Sequence, residues 1–205
     1  MEFKLFHKLA SLEGIELIMF IIAGVVFLGL LALVILYRKK NKPAAGIAEP
    51  AKAPLNKTQK LVYGALSLTL AFVLSYFKLF SLPFGGTITL VSMLPIFAYA
   101  AYFGPVYGFT AAFAFSLLQV IQGAYIVHPI QFVLDYFVAF TLMGVASFFP
   151  KNVPLGAAVA GLSRMLASTV SGAIFFKDAG FSYGFANPWV YSLIYNGLTI
   201  GVDTL

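Results

Sequence analysis

The chain has 205 residues, of which 61% are hydrophobic, 17% aromatic and only 10% charged, with a formal net charge of +6 and no cysteine. A soluble domain carries about 25% charged residues, so this sequence cannot clothe a water-exposed globule, and it holds too much apolar surface for a disordered chain. Without cysteine there are no disulfides, thiol nucleophiles or cysteine-ligated metals. The class that remains is integral membrane protein.

A bilayer-crossing helix needs about 20 mostly apolar residues. The first such run spans Ile15 to Tyr37, with no charge between Glu16 and Arg38. A secretory signal has a shorter apolar core, about 7–15 residues, and a small-residue cleavage site after it. Here the run is longer and Arg38-Lys39-Lys40 follows, so it reads as a retained helix. Pro43, Pro50 and Pro54 lie in an Ala-rich stretch with almost no large apolar side chain, which makes a linker. Residues 1–37 are therefore expected to form an extra N-terminal transmembrane helix, residues 38–57 a basic Ala/Pro-rich linker, and residues 58–205 a membrane domain.

That domain reads as six apolar segments: Leu61–Phe80, Ile88–Phe103, Val106–Gln122, His128–Phe149, Pro154–Phe176 and Pro188–Leu205. Pro83 with Gly85-Gly86, Gly104-Pro105, Gly123, Pro150 with Pro154, and the stretch from Gly180 to Pro188 separate them. The runs are continuously apolar, whereas a membrane barrel alternates in segments of about ten residues. An all-α membrane bundle is the fold class. The last segment ends at Leu205 without a basic flank, the pattern expected of a helix cut short.

Arg38, Lys39, Lys40, Lys42, Lys52, Lys57 and Lys60 account for 7 of the 13 basic residues. The positive-inside rule places residues 38–60 in the cytoplasm and the N-terminus outside. Lys4 and Lys8 run against this, partly balanced by Glu2 and Glu13. The loops Ser81–Thr87, Gly123–Val127 and Lys177–Asn187 then face outward. The cytoplasmic linker is placed to touch anionic lipid. Tethered beside membrane helices, it is a poor nucleic-acid site.

Ionisable groups inside a membrane are functional candidates by default. Helix interiors offer Asp135 and Arg164. His128, Gln131 and Asp135 share one helical face by their spacing of three and four, and Tyr136 follows. Asp135 lies about 10 Å below the outer surface at 1.5 Å per residue. Tyr191, Tyr195, Asn196, Ser168, Ser171 and Gly172 fall in the same outward-facing layer. A buried carboxylate ringed by aromatics suits a cationic ligand, through counter-charge and cation–π attraction. Tyr125, Tyr136, Phe176, Trp189 and Tyr191 are the nearby rings. The competing readings are a structural Asp135–Arg164 pair, plain membrane packing of the aromatics, and a helix start at His128-Pro129. No Gly-Lys dipeptide or His-Glu-x-x-His occurs, so neither ATP hydrolysis nor metalloprotease chemistry has an anchor, and the chain is not expected to be an enzyme or to hold a metal.

Certain stretches occur in a telling order: Gly85-Gly86-Thr87-Ile88-Thr89 with Met93-Leu94-Pro95-Ile96-Phe97; Gln122-Gly123; and His128-Pro129-Ile130-Gln131 with Leu134-Asp135-Tyr136. Arg164 with Ser171-Gly172-Ala173-Ile174-Phe175-Phe176, and Tyr191-Ser192-Leu193-Ile194-Tyr195-Asn196, complete the set. Over residues 58–205 this resembles the thiamine-specific S component, the substrate-binding membrane subunit, of energy-coupling factor transporters. The resemblance implies a six-helix S-component bundle that takes a vitamin from outside. Its partners would be a membrane coupling protein and two ATPase subunits, the latter supplying the ATP machinery absent here, with no cofactor of its own. It places Asp135 opposite the ligand's cation and Tyr136, Tyr125, Tyr191 and Asn196 at contact positions. Arg164 matches a basic position one turn before another contact. That contact is usually His and is Ser168 here; a stacking Trp is Phe176 here; and the loop before Gly85 lacks a Trp. The ligand is accordingly thiamine or a close analogue such as a precursor. The extra helix and linker lie outside the pattern. Gly64, Ala65, Thr69 and Ala71, small residues on the first family helix, are the expected docking face for the coupling protein, unless they pack within the bundle. The alternative function is a non-transporting membrane interaction or regulatory protein that keeps the scaffold; here Asp135 merely pairs with Arg164.

Overall fold

A computed structural model describes residues 55–89 and 91–204. The N-terminal helix Ile15–Tyr37 and nearly all of the linker lie outside the described residues. Helix α1, Lys57–Tyr76, starts earlier than the apolar run because Asn56 caps it. The Asn56 side chain accepts from the Gln59 amide at 2.8 Å, and the Gln59 side chain accepts from the Asn56 amide at 2.9 Å. This reciprocal box satisfies two donors that a helix start otherwise leaves open.

The helix expected to reach Phe80 stops at Tyr76. Strand β1, Lys78–Ser81, follows and pairs antiparallel with β2, Thr87–Thr89, matching Phe80 with Ile88 and Ser81 with Thr87. Pro83 has no amide to donate, and Gly85 sits at φ +87, so the Pro-Phe-Gly-Gly stretch turns the chain back on itself. The segment expected as a helix from Ile88 is therefore a strand first. Helix α2, Leu94–Phe103, begins only at Pro95's turn. Its 10 residues span about 15 Å, half of a hydrocarbon core of about 30 Å.

Helices α3 (Pro105–Gly123), α4 (Pro129–Phe148) and α5 (Val153–Phe175) follow, then the short α6 (Lys177–Ser182) and α7, residues 188–204. Among the described residues, α1, α3, α4 and α5 are long and apolar enough to cross a membrane by length and composition. The chain is a multi-pass membrane protein. Part of the segment expected as an outer loop, Lys177–Asn187, is the helix α6.

The core lies where α2, α3, α4 and α5 meet, around Phe97, Phe115, Met93, Ile96, Met143 and a set of alanines at 71, 100, 112, 146, 157 and 160. Small side chains let the backbones approach, the usual basis of helix packing in lipid. A methyl added at Gly144 would meet the Phe109 ring at 2.6 Å and its Cα at 2.8 Å, so no larger residue fits. The same packing corrects part of the expected docking face. Ala71 is wholly buried in this core, and Gly64 faces inward, where an added methyl would meet the Tyr99 hydroxyl at 2.7 Å. Ala65 and Thr69 do face outward, with the Thr69 hydroxyl donating to Ala65 O at 2.9 Å.

Candidate functional site

The strands and the ends of α3, α4, α5 and α7 enclose a cavity of about 180 Å³. All eight sequence-predicted ligand residues line it: Tyr125, Asp135, Tyr136, Arg164, Ser168, Phe176, Tyr191 and Asn196. Trp189 does not; it is half exposed.

The wall that carries Asp135 is irregular. His128 caps α4, its Nδ1 accepting from the Ile130 amide at 3.2 Å, which is the helix-start reading of His128-Pro129. After one α-turn the chain widens into a π-helix, Val133–Val138, holding Asp135 and Tyr136. Such bulges are rare and concentrate at functional sites. The Gln131 amide, itself buried, donates to Asp135 Oδ2 at 2.7 Å and to Tyr125 O at 3.2 Å. The Tyr136 hydroxyl accepts from the Tyr125 amide at 2.8 Å. Tyr125 is thus fastened to both side chains flanking the carboxylate.

Arg164, Ser168 and Gly172 on α5 and Phe176, which caps its end, recur every fourth residue and line the cavity. A methyl at Gly172 would displace the Ser192 hydroxyl from its place. The Ser192 hydroxyl donates to Thr169 O at 2.7 Å, and Asn196 Nδ2 donates to Ser192 O at 2.9 Å. The first bond ties α7 to α5, and the second orients Asn196 within α7. The Arg164 guanidinium lies over the Phe140 ring, 3.8 Å from its centre, and donates to Met93 Sδ. Asp135 takes its hydrogen bond from Gln131, so among the described residues no hydrogen bond joins Asp135 to Arg164.

The mouth is aromatic. Phe84, at the tip between the strands, approaches Phe176, Tyr125 and Tyr183 with ring centres 5.9, 6.2 and 6.4 Å apart. Its φ of +62 is a left-handed conformation uncommon outside glycine. The Tyr195 hydroxyl donates to Pro83 O and accepts from the Gly86 amide at 2.8 Å. Gly86 has no room for a side chain against that hydroxyl.

Sequence reasoning missed several lining residues. Phe84 was hidden in a turn that reads only as a breaker. Gln119 and Gln122 sit among apolar residues of α3 without a charge to flag them. Asp203 lies near the end of α7, where a second π-turn, Gly197–Gly201, brings Thr199, Ile200 and Asp203 onto the same lining as Asn196. Three buried donors on the lining, Gln119 Nε2, Gln122 Nε2 and Arg164 Nε, have no hydrogen-bond partner. Each such group costs about 1–3 kcal/mol. An acceptor entering the cavity would relieve that cost. Together with the carboxylates and rings, this describes a cavity for a polar, cationic, partly aromatic small molecule.

Residues 61–205 match the family described as thiamine transporter protein. The thiamine transporter ThiT of Bacillus subtilis is 32% identical over 133 residues, which cover 57% of this chain and 68% of that protein. A solved structure of ThiT from Listeria monocytogenes superposes with a TM-score of 0.64 at 23% identity, covering 73% of this chain and 89% of that one. This second likeness bears on the fold, that of an S component.

Proposed function

The chain belongs to the thiamine transporter family, a family of transporters rather than enzymes; from that premise we propose that its cavity is the binding site for thiamine or a close analogue. The observation that carries the proposal is Asp135, a carboxylate fixed by Gln131 on a π-turn within a ring-lined cavity. A thiazolium beside it would find a counter-charge in a medium of low dielectric, with the Tyr125 and Phe176 rings at hand for its faces. Gln119, Gln122 and Arg164 offer donors to its ring nitrogens and hydroxyl. Ser168 can share a hydrogen bond where the family pattern has an imidazole, and Phe176 offers a ring where it has an indole.

In this reading the chain is the substrate-binding subunit of an energy-coupling factor importer. The cavity opens outward and the basic residues 38–60 lie in the cytoplasm. A coupling protein docks along the outer face of α1, where Ala65 and Thr69 are exposed, and two ATPase subunits drive release. The test is isothermal titration of the detergent-purified chain with thiamine. Saturable binding is expected, and Asp135→Asn weakens it by about tenfold or more, equal to about 1.4 kcal/mol. Unchanged affinity in that variant removes Asp135 as counter-ion. No heat with thiamine or its precursors favours a scaffold that has lost its ligand.

A further inference from the structure

The cavity holds a second carboxylate to which nothing above gives a role. Asp203 is 6% exposed and accepts from Thr89 Oγ1 at 2.6 Å and from Ser92 Oγ at 3.2 Å. Both donors belong to β2 and the turn that leaves it. Met93, which takes the Arg164 hydrogen bond, is the next residue in that turn. The guanidinium is thus tethered beside the group that holds Asp203, whereas Asp135 is tethered to its own helix through Gln131. Asp203 and Arg164 line the same cavity.

Arg164 can neutralise one carboxylate. Were it free to turn toward Asp135, a cationic guest would have to displace it, and the counter-charge would be spent. Lys78, the other cation on the lining, is exposed and screened by water. Resting on the reading of the cavity as a thiamine site, we infer that Asp203 is a specificity-determining positioning residue: it retains the Arg164 guanidinium, leaving the Asp135 carboxylate unneutralised for a cationic ligand.

The experiment compares thiamine with its isostere in which a neutral thiophene replaces the thiazolium ring. The ratio of the two affinities reads the charge felt by the ligand, and a mere loss of packing lowers both alike. Asp203→Asn is expected to reduce the preference for thiamine by about tenfold. Adding Arg164→Gln to it should restore the ratio to within about threefold. Thr89→Val removes the 2.6 Å bond that holds Asp203 without removing a charge, and should lower the preference in the same direction by a smaller factor. If Asp203→Asn does not fold, the two charge-balanced double variants decide. Asp203→Asn with Arg164→Gln keeps the preference, and Asp135→Asn with Arg164→Gln loses it. An unchanged ratio in Asp203→Asn, or the reverse order of the doubles, overturns the inference while leaving the thiamine site standing. Failure of the unaltered protein to bind thiamine overturns both.

Discussion

Helix α5 is two materials in one rod. Its first half turns Gly156, Ala157, Ala160 and Gly161 toward neighbours and packs without polar groups to satisfy. Its second half, with the capping Phe176, turns Arg164, Ser168 and Gly172 toward a cavity with unpartnered donors. Helix α4 shows the same division in reverse order: a π-turn carrying Asp135 near its start, and a tight 3-10 stretch, Leu142–Phe148, buried in the core at its end. The packed half supplies rigidity, and the cavity half is left polar and incomplete. A site held by a stiff neighbour can keep charged and orphaned groups in place without collapsing on them, which is what preorganisation requires.

Substitutions separate the two halves. The largest effect belongs to the packed half: Phe97→Ala empties a 1%-exposed position and is expected to lower stability by about 3–5 kcal/mol. Thermal denaturation in detergent should show a lower midpoint, with the increment added by thiamine unchanged. Asp135→Asn inverts that pattern, weakening thiamine by about tenfold while the midpoint of the ligand-free protein holds or rises, because a buried charge is removed. Tyr195→Phe deletes the hydroxyl that joins Pro83 and Gly86, with about 1 kcal/mol at stake per bond. The dissociation rate of thiamine, followed by intrinsic fluorescence, should rise several-fold. The smallest effect is at Gln119→Leu, which removes a donor without a partner. The empty protein should gain stability by up to about 1 kcal/mol and thiamine should bind more weakly. A loss of stability would show that Gln119 is not an orphan, and the contrast between the halves would weaken there.

Much of this was legible in the residues. Apolar run length gave the membrane class, and the order of the motifs from Tyr125 through Asp135, Arg164 and Phe176 to Asn196 pointed to eight side chains that line one cavity. What escaped was non-helical backbone. Strands Lys78–Ser81 and Thr87–Thr89 abut longer apolar runs, and most of their residues were read as the ends of helices, because hydropathy does not separate a strand from a helix in a short run. Asp203 escaped because its distance from Asp135 along the chain says nothing of the π-turn that brings both to one cavity. On α1, small size identified residues suited to close approach but not their direction: Gly64 and Ala71 face in, Ala65 and Thr69 out.

Phe84 bears on time as well as on shape. Its left-handed backbone, its three ring neighbours and the Tyr195 bridge at Pro83 and Gly86 all hold a turn across the cavity mouth. None of those contacts needs a guest molecule. A guest that leaves past the turn must wait for all of them to break. Residence time and grip are then set by different residues: the floor fixes how strongly a molecule is held, and the turn fixes how often it is let go.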